Sequence, residues 1–185
     1  EALLAAFAGY FVPMPADVAY WETRFKAAGV DWALSFGAFE KEKLIGFIIH
    51  GIGFHNGIKT AFNTGTGVIP AFRDQRVVSL LYNDALPLLQ QNGVEKCMLE
   101  VITKNDKAIR VYEKNGFHIV RKLHCFRGTL TGEPENISLT KTDTETLLRA
   151  TQKNQHAYSW DHTADALLRI SSNYSAYTFS RSGEP

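Results

Sequence analysis

The stretch VIPAFRDQRVVS, residues 68–79, decides the reading of this chain. It opens on β-branched residues that suit a strand, breaks at Pro70, and closes on Val77, Val78 and Ser79, which begin an apolar helical stripe. A strand that turns into a helix leaves the first amides of that helix without partners and places the positive end of the helix dipole beside them. Gln75, Arg76, Val77, Val78 and Ser79 supply those amides, with Arg73 and Arg76 adding charge. Cations at a helix start cost a few tenths to about 1 kcal/mol against the dipole, and an anionic ligand offsets that cost. A linked diphosphate suits the junction, whereas solvated surface arginines are the plainer reading.

Working outward, the stripe Val77, Leu80, Leu81, Ala85, Leu88, Leu89 predicts a helix over 76–91, kinked at Pro87 and stopped by Gly93. Upstream, WALSFGAF and KLIGFIIHGIGF read as strands joined by the charged EKEK. Asn56-Gly57 then predicts a tight hairpin into KTAFNTGTGVIP, because both residues tolerate positive φ. Gly65 and Gly67 in that third strand mark a bulge or a close approach to the backbone. Two helices precede the meander. The first carries Leu3, Leu4, Phe7 and Phe11 and ends at VPMP; the second runs from about Pro15 with Val18, Trp21 and Phe25 on one face and Gly29 as its stop. Downstream, KCMLEVIT predicts a strand, Asn105 caps a helix closed by Gly116, and FHIVRKLHCF predicts a long final strand.

The composition narrows the function. The chain has 185 residues, 45% of them apolar, and a formal charge of +1 from 20 basic and 19 acidic side chains. That excludes the basic field of a nucleic-acid binder and gives no anionic-membrane patch. No apolar run reaches the roughly 18 residues of a membrane helix, and the N-terminus lacks a signal pattern, so a cytoplasmic location is expected. Cys97 and Cys125 stand without metal-ligand spacing, and no metal is expected. The fold class is α/β (α+β), a mixed and mostly antiparallel sheet flanked by helices.

Two motifs together carry a family resemblance. GVIPAFRDQRVVSLLYNDALPLL and LEVITKNDKAIRVYEKNGF resemble the central motifs of the GCN5-related N-acetyltransferase (GNAT) superfamily, in which V-x-P-x-x-R leads into a pyrophosphate-binding helix and N-x-x-A-x-x-x-Y-x-x-x-G-F forms the next helix. Asn105, Ala108, Tyr112, Gly116 and Phe117 stand in every place of the second motif. The resemblance covers about residues 1–128. It implies acetyl-CoA as cosubstrate, acyl transfer to an amine of a small molecule or peptide, and Tyr112 as general acid toward the departing sulfur. It also implies a cofactor site from Val68, Ile69, Arg73, Asp74, Gln75, Arg76, Val77, Val78, Ser79, Asn105 and Ala108.

One departure stands out: Arg76 and Val78 occupy places where the family writes Gly and Gly or Ala, so weakened or repositioned CoA binding is expected. Because first-turn residues adopt the right-handed region, a Cβ at these places is sterically legal in this reading. A phenol near pKa 10 protonating a thiolate near 8.5 is uphill by roughly 2 kcal/mol, which is tolerable. The base stays open between Glu100, His50 and water. Tyr10, Phe11 and Trp21 are candidates for an acceptor wall, with core packing as the plainer role.

The domain expectation is 1–130 for the GNAT-like part, lacking its first strand, and 131–185 for a linker and a smaller extension. In the latter, RGTLTGEPEN reads as linker, TDTETLLRA and DHTADALLRI as capped helices, and YSAYTFS as a strand without a following partner. Its edge awaits the main sheet, missing sequence, or a second copy of this chain in a homodimer. A chain opening on Glu1 inside a helix reads as a fragment. A non-catalytic acyl-CoA-binding module and an interaction module are the competing functional readings.

Overall fold

The structure, a computed structural model, describes residues 1–129, 137–151 and 158–181. The chain forms two compact units, Glu1–His118 and Ile119–Pro185. The expected turn at 182–185 and most of the expected linker lie outside the described residues.

In the first unit a four-stranded sheet runs in the order β1 (Phe36–Glu40), β2 (Lys43–His55), β3 (Ile58–Val68), β4 (Lys96–Leu99). The first three strands are an antiparallel meander, and β4 joins β3 in parallel. The Asn56-Gly57 turn has φ of 55° and 77°, the paired left-handed geometry that matches the twist of the flanking strands. Alternation along β2 sends successive side chains to opposite faces. Phe47 and Ile49 pack with Ala6, Phe7 and Phe25 from α1 (Ala2–Ala6) and α2 (Val18–Ala28). Ile48 packs with Val77, Leu81 and Tyr82 from α3 (Val77–Gln91). The sheet therefore separates α1 and α2 from α3, and α4 (Asp106–Lys114) adds Tyr112 to the α3 side. Pro87 sits inside α3 as the sequence implied.

Helix α1 stops at Ala6, well before the prolines, and α2 begins at Val18 with the Asp17 carboxylate accepting from the Ala19 N–H at 3.0 Å. Gly29 ends α2 at φ 70°, as expected. The chain then laces onto β2: the Ile52 N–H reaches the Gly29 carbonyl at 2.9 Å, and the Asp31 N–H reaches that of His50 at 3.0 Å. Gly51 permits this approach, since a Cβ there would collide with the carbonyl of Ala28.

The glycine pair of β3 divides in meaning. Register slips between Ile49 and His50, where Asn63 and Gly65 are the successive partners, so Thr64 is the extra residue of a bulge beside Gly65. Gly67 serves packing: a Cβ would lie 2.7 Å from both Ala6 Cβ and the Phe47 ring. Neither strand β4 nor the segment after α4 matches its expected length. Pairing of β4 ends at Leu99, and residues 118–129 hold no strand; Ile119, Val120 and Phe126 remain exposed, so their alternation has no face to bury.

In the second unit β5 (Ile137–Thr142) and β6 (Ala176–Arg181) form an antiparallel pair. This corrects the expectation of an unpartnered last strand. The alternating ISLTKT was the overlooked signal. Helices α5 (Thr144–Thr151) and α6 (Ala164–Arg169) form where expected, capped by Asp143 to the Thr146 N–H at 2.7 Å and Thr163 to the Ala166 N–H at 3.3 Å.

Candidate active site

Strands β3 and β4 are registered from Thr60↔Lys96 to Asn63↔Leu99 and then separate, while β3 continues to Val68. Beyond Asn63 the sheet is open on that side. The Ile69 N–H is taken by the Ile45 carbonyl at 2.9 Å, so by strand alternation it is Val68 whose backbone faces the opening. The Val68 carbonyl accepts from Arg73 Nε at 3.2 Å.

That same guanidinium donates from Nη2 to the carbonyl of Ala6 at 2.9 Å. Arg73 thus ties the end of α1 to the end of β3, and its role in the structure is that of a strut. Asp74 has φ 63° and pairs with Lys107 of α4 at 2.9 Å across an exposed gap. Gln75 Nε2 reaches the Ala71 carbonyl at 3.3 Å. Arg76 occupies the N-cap of α3 at φ 59°, without a side-chain cap. The expectation of an ordinary right-handed residue fails here. A glycine would hold this conformation without the cost that a Cβ brings, which explains the physical value of the residue type the family writes at this place.

The first helical bond of α3 runs from the Leu80 N–H to the Arg76 carbonyl at 3.0 Å. The N–H groups of Val77, Val78 and Ser79, three of the five amides expected at this mouth, precede it and have no intrahelical acceptor. Val77 is buried and Val78 packs into the same apolar cluster, so both side chains turn from the helix mouth toward the core. Ser79 Oγ accepts from Asn115 Nδ2 at 3.2 Å, tying α3 to the end of α4. These donors fit a linked diphosphate, with the open edge of β3 adjoining.

Helix α4 is capped by Asn105, whose Oδ1 accepts from the Ala108 N–H at 3.2 Å. Gly116 at φ 88° lets the chain close back, and the Phe117 N–H returns to the Tyr112 carbonyl at 3.1 Å. The Tyr112 ring contacts Phe117 at 5.8 Å between centroids. Burial pushes the phenol above the ordinary tyrosine value, the Thr66 hydroxyl on the unpaired part of β3 pulls it back, and nearby Tyr10 raises it slightly. The group therefore stays protonated at neutral pH.

Three residues here carried no weight in the sequence reading. Asn63 Nδ2 donates to Thr66 Oγ1 at 2.6 Å and to Tyr82 Oη at 2.7 Å. Asn63 and Tyr82 are buried, and Asn in a strand interior is a residue of low β propensity, which was the available signal. The candidate bases separate clearly. Glu100 is exposed just past the paired part of β4. His50 is buried between Phe36 and Tyr82, with Nδ1 against the Leu34 carbonyl at 2.7 Å, so it faces the core and not the opening. Tyr10 and Phe11 meet edge to face at 5.5 Å, Trp21 and Phe25 lie tilted to each other at 5.7 Å, and Phe11 is exposed. Among the described residues no cluster of metal-ligating side chains is found.

Comparison with known proteins agrees with the fold. The acetyltransferase (GNAT) family profile matches residues 2–117, and the chain belongs to that family. N-alpha-acetyltransferase MAK3 of Arabidopsis thaliana is 29% identical over 93 residues, covering 50% of this chain and 49% of that protein. The chain thus spans about half the length of the curated relative it matches. Among solved structures, AAC(6')-Iy in complex with the bisubstrate analog CoA-S-monomethyl-acetylneamine superposes with a TM-score of 0.53 at 20% identity, over 70% of this chain and 90% of that one. Ribosomal-protein-alanine N-acetyltransferase from Brucella melitensis biovar Abortus 2308 gives 0.53 at 18% identity, over 68% and 88%. At these identities the likeness is one of fold.

Proposed function

We propose that this chain is an N-acetyltransferase that moves an acetyl group from acetyl-CoA to an amine of a small molecule or peptide, with Tyr112 as the general acid. One observation carries the reading: β3 outlives its pairing with β4 by five residues, and Tyr112 comes near Thr66 inside that unpaired stretch. An extended amide chain, such as a pantetheine arm, pairs with an open strand edge as an added strand does. The Val77, Val78 and Ser79 amides then meet the diphosphate, as helix N-termini commonly do.

In this mechanism the arm lies along β3 from Val68, and the thioester carbon comes within reach of Tyr112. The amine nitrogen attacks that carbon, the carbon–sulfur bond breaks, and the Tyr112 O–H proton passes to sulfur. The phenolate regains a proton from the one shed by nitrogen. Arg73 keeps the end of β3 in place without touching phosphate, and Asp74 pairs with Lys107 so that the loop and α4 hold a constant spacing. Tyr10 lies near enough to Tyr112 to act on its charge and is the candidate for the near side of the acceptor wall.

The fold neighbours differ in what their names mention: the bisubstrate analog CoA-S-monomethyl-acetylneamine in one complex, a ribosomal-protein-alanine N-acetyltransferase in the other. The test measures free thiol released from acetyl-CoA over a panel of aminoglycosides and N-terminal peptides. Tyr112→Phe should lower turnover by about 10²-fold or more, the usual contribution of a positioned acid, while CoA binding is spared. Tight CoA binding with no thiol release on any amine would favour a non-catalytic acyl-CoA-binding module, the reading that the strained Arg76 and the committed Arg73 support.

A further inference from the structure

We infer that Lys107 is a further binding residue for the phosphates of the cosubstrate, held by Asp74 across the opening that begins where β3 and β4 part. This rests on the reading of the α3 mouth as a diphosphate site.

The chain places the two residues on opposite sides of that opening. Strand β3 runs on past Asn63 into the loop that holds Asp74 and then into α3, while β4 ends its pairing at Leu99 and leads through Asn105 into α4. Lys107 lies in the first turn of α4, and its Nζ donates to both carboxylate oxygens of Asp74, at 2.9 Å and 3.0 Å. The far end of α4 is tied to α3 as well, through Asn115 Nδ2 donating to Ser79 Oγ at 3.2 Å. Asp74 stands three residues before Val77, so the ammonium is fixed beside the α3 mouth.

Stability alone gives little reason for the pair. The Lys107 and Asp74 side chains are 61% and 76% exposed, and an ion pair so placed contributes little to folding. Asp74 nevertheless holds φ 63°, a left-handed conformation that a residue with a Cβ adopts at a cost, and such outliers gather at ligand clamps. Lys107 stands at the amino end of a helix, where the dipole opposes a cation. An anion in the opening offsets that second cost directly. Arg73 is placed otherwise, because its guanidinium is spent on the carbonyls of Val68 and Ala6. An ammonium has three donors, and a carboxylate that takes two leaves one, open to solvent here, for a phosphate oxygen. Asp74 thus acts in two ways. It steers Lys107 to the mouth, and its own charge repels the phosphates that Lys107 attracts.

The test measures the dissociation constant of CoA by calorimetry at low salt, using the full chain and the substitutions Lys107→Met, Lys107→Arg and Asp74→Asn, each first shown to melt cooperatively. Lys107→Met should weaken CoA binding about tenfold, the worth of roughly one hydrogen bond to a charged group, and Lys107→Arg should restore most of it. Asp74→Asn keeps an oxygen that accepts from Lys107 but removes the negative charge, so it should tighten CoA binding by about two- to threefold. A clasp with no part in binding predicts one sign for both, since each substitution weakens it. Added salt should weaken CoA binding to the native chain more steeply than to Lys107→Met. Pantetheine, which lacks every phosphate, should bind all four chains alike. CoA binding unchanged in Lys107→Met, weakened alike by Lys107→Met and Asp74→Asn, or lost in step with pantetheine overturns the inference while leaving the α3 mouth as the diphosphate site. Absence of CoA binding to the native chain overturns that site and this inference with it.

Discussion

Arg76 holds a backbone conformation that suits glycine, φ 59° and ψ 20°, at the mouth of the helix proposed to bind the diphosphate. For an L-residue the left-handed region costs roughly 1–2 kcal/mol, and glycine gives back part of this through the freedom it adds to the unfolded chain. Arg76→Gly should therefore stabilise the protein by about 0.5–1 kcal/mol, read as a small rise in urea midpoint at unchanged slope. Unchanged stability would mean that the arginine side chain compensates its own backbone. His50 supplies a pH dependence of the opposite kind. Burial lowers its pKa below the ordinary 6.5, and the bond to Leu34 only partly restores it. As pH falls through 6.5 the unfolded chain takes up the proton before the native one does. Stability is complete above that value and falls by up to about 1.4 kcal/mol per pH unit below it. Urea titrations between pH 8 and 5 should show this slope, and His50→Asn, which keeps a donor for Leu34, should flatten it at a lower overall stability.

At the scale of elements, the contact between α2 and β2 depends on the missing side chain of Gly51. Because the obstructing atom is the backbone carbonyl of Ala28 and not a flexible tip, Gly51→Ala should destabilise by about 1–3 kcal/mol, measured by thermal or chemical unfolding. A neutral result would show that α2 slides freely on the sheet. The same scale shows what the sequence could reveal. Asn56-Gly57, Gly29, Gly93, Gly116 and the Asn105 cap each encode a local conformation, and each lies where its chemistry requires. The meander, α3 and α4 were legible for that reason. Strand lengths were not, since KCMLEVIT reads as one β-rich run although pairing stops at Leu99: divergence of two strands is set by what stands between them and not by propensity. The alternation in FHIVRKLHCF met no burial, and that in ISLTKT was hidden in a polar composition. At the proposed site, motif and helix physics pointed to Tyr112 and the α3 amides, whereas the Asn63–Thr66 contact depends on a bulge that no spacing rule announces.

At the scale of the whole molecule, Glu1–His118 and Ile119–Pro185 are two compact units, and Trp160, Ala164, Ala166, Ile170 and Ala176 are buried residues of the latter. Every residue proposed to meet acetyl-CoA belongs to the first. A thermal scan should therefore resolve two transitions, of which acetyl-CoA raises only one, by about 2.7 kcal/mol of stabilisation at a hundredfold excess over its dissociation constant. A single transition shifted as a whole would mean the two units unfold together. The abandoned side of β3 has a further consequence for handling the protein. Backbone donors and acceptors left over where one strand parts from the next are the template on which stray chains nucleate cross-strand aggregates. On the proposed path of the pantetheine arm, purification without acetyl-CoA leaves that seam bare, and stocks kept without it should cloud before stocks kept with it.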